Sequence, residues 1–229
     1  SDGGTINNNS GGEITNYDRI FANDGGIINN LSGGIIINYS ALTIVFTGSL
    51  VNDNAITNTG INSNIHNEGT LDNNNGGIIT NTDSGLIENA AKGIFTNNIG
   101  GTINNTDSAT INNIYGLSTY TRIIYNYGII NNNTSATITN GSDNTTFNND
   151  GIINNDSSAV IDNNGIFNNN TGGIITNNAS INNNTSATIN NNTGGIITNN
   201  ASINNNTSAT INNNTGGIIT NNASINNNT

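Results

Sequence analysis

The chain of 229 residues has no cysteine, proline, methionine or tryptophan, a single histidine and only three basic residues. Without cysteine there is neither a disulfide framework nor a thiolate metal site. His66 has no second imidazole with which to complete a metal site. At the fourth position of Ser63-Asn64-Ile65-His66-Asn67 it is expected on the solvated surface. Arg19, Lys92 and Arg122 stand against 14 acids, for a net charge of −11. That balance argues against a nucleic-acid partner, because phosphate binding needs clustered Lys and Arg, and against an anionic membrane surface. No apolar run approaches the ~20 residues of a transmembrane helix, so no membrane insertion is expected. There is no initiator methionine and no signal-peptide pattern, and the expectation is a processed chain or an excerpt of a longer one.

Hydrophobic residues make up 32% of the chain and charged residues 7%. Disordered segments of comparable polarity usually carry many charges and few β-branched residues. Here charge is scarce and isoleucine recurs throughout. Asparagine accounts for about a quarter of the sequence, far above its usual share.

Isoleucine and asparagine recur in register. From Thr171 the unit TGGIITNNASINNNTSATINNN returns at Thr193 and again at Thr215, a period of 22 residues. Each unit holds three copies of a five-residue word, [Gly/Ala]-x-Ile-x-Asn. In the first unit these are Gly173 to Asn177, Ala179 to Asn183 and Ala187 to Asn191, with Ile175, Ile181 and Ile189 at their centres. The word runs back to Gly4-Thr5-Ile6-Asn7-Asn8, with further copies centred on Ile14, Ile28, Leu50, Leu71, Ile79, Ile87, Phe95, Ile103, Ile111, Ile130, Ile138, Ile153, Ile161 and Phe167.

A strand has period two, so positions one, three and five of the word face one way. The small residue, the isoleucine and the asparagine therefore point inward together, while the residues between them point out. No helical periodicity competes, and a chain rich in Asn, Gly and Ile forms helices poorly. The gaps between words leave no room for crossover helices. The chain must bend at each gap and begin a new face, so three words make one coil. The expected fold is an all-β, three-sided parallel β-helix (β-solenoid) with about 22 residues per coil, a single solenoid over residues 1–229. Asn177, Asn183 and Asn191 are expected to bond to their copies in the neighbouring coils as amide ladders. Asn at the fifth position also tolerates a left-handed bend, and the small first residue is expected to serve a tight turn. One coil buries too little to fold alone, so stability is a nearest-neighbour property.

The words GTINN, GEITN, GIITN and ATINN resemble the Gly/Asn-rich repeats of large secreted surface proteins of bacteria and archaea, including filamentous-haemagglutinin-like adhesins. The resemblance spans the chain from Gly3 onward. It implies a right-handed coil and an extracellular or cell-surface location. It does not choose among adhesins, sheath fibres, tailspikes and polysaccharide lyases, which share such folds.

Two stretches break the pattern, and irregular coils or loops are expected near 38–48 and 112–127. The first holds Ala41-Leu42-Thr43-Ile44-Val45-Phe46, the most apolar segment of the chain. The second gathers Tyr115, Tyr120, Arg122, Tyr125 and Tyr127. Tyr and Arg favour interfaces, so these five residues are a candidate patch for a partner subunit or a glycan. The alternative is a wider coil with aromatic core filling.

Reactive chemistry is sparse. The acids are scattered, and Asp53, Glu68 and Asp72, near one another in sequence, are the nearest approach to a cation site. Ser and Thr are abundant without a base to activate them. The Gly-Gly pairs are followed by neither Lys nor a helix, so they are not phosphate loops. No catalytic residue, cofactor or metal is assigned, and the chain is not read as an enzyme. Asn-x-Ser/Thr sequons are frequent, but an inward ladder asparagine such as Asn8, Asn132, Asn183 or Asn191 cannot carry a glycan. Asn178 and Asn200, one residue past the ladder, are the better glycosylation candidates.

The leading functional expectation is a structural repeat module of an extracellular filament, sheath or cell-surface adhesin. The last residues stand mid-repeat, so either further coils follow or copies dock end to end into a fibre. The alternative is an ice-binding or glycan-binding solenoid using outward ladders such as Thr188/Asn190 beside Thr210/Asn212.

Overall fold

The computed structural model of the chain describes residues 3–114, 120–141 and 144–228. Among the described residues there is no helix; thirty strands of four or five residues carry the fold. They form three ten-stranded sheets, and each strand pairs with the strand three elements further along. The first sheet begins with Thr5–Asn8 on Ile27–Asn30, the second with Glu13–Asn16 on Ile35–Asn38, the third with Arg19–Ala22 on Ala41–Ile44. All pairings are parallel. The architecture is a three-sided parallel β-solenoid of ten coils.

The register follows from burial. A slip of one residue would turn every anchor outward, and like residues stack instead. Ile6 lies on Ile28, Ile175 on Ile197, Ile181 on Ile203 and Ile189 on Ile211. Ile175, Ile181 and Ile189 are at most 4% exposed. Phe147 and Phe167 stack within the same core, their ring centroids 4.7 Å apart. The backbone N–H of Ile196 donates to the carbonyl of Gly173 at 2.8 Å, so hydrogen bonding between coils continues past the strands into the corners.

Coil length is not constant. Neighbouring ladder asparagines lie 20 residues apart from Asn38 to Asn58, 29 apart from Asn97 to Asn126, and 22 apart in the last coils. The corners absorb the difference and the four-residue strands do not.

The segment 38–48 departs from the expected irregularity. Ala41–Ile44 is an ordinary strand, with Leu42 and Ile44 fully buried. Ile44 takes the inward position that Asn occupies elsewhere. Its neighbours in the column are Ala22 and Asn67, so an apolar side chain suffices there. The word is lost but the alternation is kept. The corner that follows holds Phe46 in the left-handed region, φ 49°, with the Lys92 ammonium 5.5 Å from its ring centroid.

The corner chemistry also differs from the sequence reading. Among the described residues no ladder asparagine has a positive φ. The left-handed residues lie further into the corners, as at Gly172 (φ 85°), Ser186 (φ 63°) and the pair Asp107 (φ 53°) and Ser108 (φ 62°). The small first residue of the word has another cause. A Cβ on Gly173 would meet the backbone oxygen of Asn149, one coil earlier, at 2.3 Å, and Asn169 Oδ1 at 2.6 Å. Glycine there admits the previous coil rather than a turn.

Candidate functional site: amide columns and outer faces

The repeated unit of the interior is an asparagine with both amide hydrogens used. Asn177 Nδ2 donates to Asn199 Oδ1 at 2.8 Å and to the Ser202 carbonyl at 2.9 Å. Asn183 does the same to Asn205 Oδ1 (2.8 Å) and the Thr210 carbonyl (2.9 Å). Asn191 reaches Asn213 Oδ1 (2.8 Å) and the Ile218 carbonyl (3.0 Å). All three are fully buried. A buried amide lacking partners is costly, and here each is satisfied by the next coil. In the first and second sheets the column is unbroken from Asn8 and Asn16; in the third it starts at Asn67, after Ala22 and Ile44.

These bonds have a direction. Inward amides donate toward the C-terminal coil, as from Asn30 to Asn52 and from Asn155 to Asn177. Outward ladders run the other way, from Asn200 to Asn178 (2.8 Å) and from Asn212 to Asn190 (2.9 Å). One side of each coil thus offers inward donors and the other inward acceptors, so coils stack head to tail.

Asn178 and Asn200 lie exposed at the corner between the second and third sheets. Asn178 donates to the Asp156 carboxylate, and Asn222 continues the column onto Asn200 at 2.7 Å. Thr188 and Asn190 face outward in register with Thr210 and Asn212.

The aromatic candidates separate. Tyr120 is 59% and Tyr127 40% exposed, and Tyr125 is half-buried with its ring 6.1 Å from that of Tyr127. Tyr115 lies outside the described residues. Arg122 is not on the surface: it is fully buried. Arg122-Ile123-Ile124-Tyr125-Asn126 is itself a copy of the word, with Arg in the inward first position and Thr145 beside it in the next coil. The same alternation explains why the described tyrosines here do not fill the core, whose aromatics are Phe95, Phe147 and Phe167. Tyr17 and Tyr39, not singled out from the sequence, stack at 5.0 Å on the outside of the first two coils. Their 22-residue spacing was the available signal.

His66 is half-buried rather than freely solvated. Its Nδ1 meets the Glu88 carboxylate in the next coil, and its Nε2 lies 3.3 Å from Glu68 Oε1. Glu88 raises the imidazole pKa above its usual 6.5 against the opposing effect of burial, and Glu68 adds to the rise. The expected grouping of Asp53, Glu68 and Asp72 does not form. Glu68 turns to His66, Asp53 accepts from Asn74 Nδ2 at 2.8 Å, and Asp72 stands on the outer face of the first sheet, its pKa raised by burial. A strand of extended residues holds the corner acids apart. Among the described residues no three His, Asp or Glu side chains are grouped to hold a metal ion.

No protein-family model matches the chain, and no curated protein matches it. Among solved structures it is similar to a crystal structure of a TibC-catalyzed hyper-glycosylated TibA55-350 fragment. The two are 17% identical over 100% of this chain and 98% of that one, with a TM-score of 0.19. At that score the likeness bears no functional weight, and the fold rests on the strand pairing above.

Proposed function

We propose that the chain is a non-enzymatic structural rod, a repeat module of an extracellular filament, sheath or cell-surface adhesin. The observation that carries this reading is the head-to-tail template. Each of the last coils offers its neighbour the same isoleucines, amide donors and acceptors, and Asn8 and Asn16 offer two of the three amide columns at the first coil. Such a stack lengthens without new chemistry, and its stability grows with each nearest-neighbour contact. The absence of cysteine, methionine and tryptophan removes the side chains most open to oxidation, which suits a protein outside the cell.

Electron microscopy of native material with antibody labelling tests the reading. Labelled rods or fibres outside the cell are expected; short dispersed particles confined to the cytoplasm would refute it. After secretion through a glycosylating host, mass spectrometry is expected to find sugar on exposed Asn178 and Asn200 and none on buried Asn183 or Asn191.

A further inference from the structure

The outer face of the second sheet carries an apolar stripe that the rod itself does not use. In five consecutive coils the outward second position is isoleucine: Ile129, Ile152, Ile174, Ile196 and Ile218, each paired in register with the next. All are half-buried or exposed, Ile218 to 53%. Beside it runs a column of Thr176, Thr198 and Thr220. Adjacent strands lie ~4.8 Å apart, so the stripe is a flat ridge roughly 19 Å long. Glu13, in the first coil, is the one charged residue among the outward strand positions of this sheet.

The other two faces are built differently. The third sheet places Arg19, His66, Glu88 and Asp162 outward. In the later coils the first sheet presents Asn148, Asn168, Asn190 and Asn212, whose amides bond to one another along the axis. Isoleucine also faces outward on the first sheet, at Ile27, Ile94, Ile123 and Ile166, but never in more than two consecutive coils.

We infer that the isoleucine face is a lateral docking surface for a second copy of this chain, stripe against stripe. Two features of the molecule select that occupant. The first is charge: a chain of net charge −11 repels its copies through most of its surface, but no charged residue follows Asp162, so the stripe lies mainly where that repulsion is weakest. The second is area. A ten-stranded face five residues wide measures roughly 16 by 48 Å. That is on the order of 800 Å², what each partner gives to a standard stable interface. A second solenoid also has the same strand pitch, so its isoleucines interdigitate along the whole stripe. Only the parallel two-fold arrangement, coil beside coil, overlaps all ten strands, and there each isoleucine of the stripe meets its own copy.

This inference goes beyond end-to-end stacking and fails separately from it, because lateral pairing thickens a particle and stacking lengthens it. The full chain is followed by sedimentation and small-angle X-ray scattering from low to high micromolar concentration. The expected result is a doubled mass with a larger cross-section and unchanged length. Ile174→Glu/Ile196→Glu should weaken association by at least about ten-fold, and Ile174→Thr/Ile196→Thr, which keeps the β-branch, should weaken it less. Thr188→Glu/Thr210→Glu adds the same charge on the first sheet and should stay within about three-fold of the unmodified chain. Far-UV circular dichroism checks that each variant retains its strands. A chain that remains monomeric, or grows only in length, overturns the proposal. So does an equal effect of the two glutamate pairs. Thermal hysteresis in a monomeric chain that disappears with Ile174→Glu/Ile196→Glu would assign the stripe to ice instead.

Discussion

The first seven coils and the last three follow one interior rule with opposite exteriors. All 14 acids and three bases precede residue 163. In that stretch coil length varies, tyrosines stack outside, and the corners carry residues as different as Phe46, Lys92 and Asp107. The last coils repeat one uncharged 22-residue unit. Yet Asn52 to Asn73 and Asn191 to Asn213 make amide contacts of the same kind, at 2.7 and 2.8 Å. The fold therefore resides in the inward columns, and the outward positions are free to vary.

The comparison can be broken most severely from inside. Ile181→Asp places a carboxylate in the core and should cost on the order of 3–5 kcal/mol, read as early loss of hydrogen-exchange protection in the last coils. Ile65→Asp, its counterpart in the variable region, should cost a similar amount. Asn177→Leu strands the Ser202 carbonyl and the Asn155 amide, and about 1–3 kcal/mol is expected in chemical denaturation. Gly173→Ala pushes a methyl into the Asn149 carbonyl and should cost about 1–3 kcal/mol.

A pH series sharpens the contrast. His66 has its pKa raised in the folded state, so its stabilising contribution is full below the unfolded value of 6.5 and is lost as pH rises through the folded one. Raising the pH past that point should lower stability by under about 1 kcal/mol, and His66→Asn should flatten the profile. Residues 163–229 contain no Asp, Glu, His, Lys, Arg or Tyr, so their exchange protection, corrected for intrinsic rates, should not follow pH. The smallest effect belongs to Thr188→Asp, outward in those same coils, which should fall within about 0.5 kcal/mol of the unmodified chain.

Much of this was legible in the linear pattern. The word located most strands because an inward small residue, isoleucine and asparagine leave a period-two trace. It failed where the trace was blurred. Gly34-Ile35-Ile36-Ile37-Asn38 fits the word with Ile36 at its centre, but its run of isoleucines masks the alternation, and pairing with Ile14 and Ile56 confirms that Ile36 faces in. Around Ile20, Leu42, Ile56, Ile124 and Phe147 the small residue or the asparagine is replaced, and neighbouring coils supply the register instead. Arg122 read as a surface group because burying a guanidinium is rare, whereas its strand position turns it inward. His66 read as lone because its partner Glu88 is 22 residues away.

Residue order alone was enough for strand content, the count of faces, most inward side chains and the 22-residue period of the last coils, since each follows from short-range alternation repeated along the chain. Three-dimensional packing alone set which residues stand side by side across coils: the direction of the amide columns, the Glu88 contact to His66 and the isoleucine stripe from Ile129 to Ile218. Those depend on corner lengths that vary from coil to coil, and no local pattern encodes the sum of such steps.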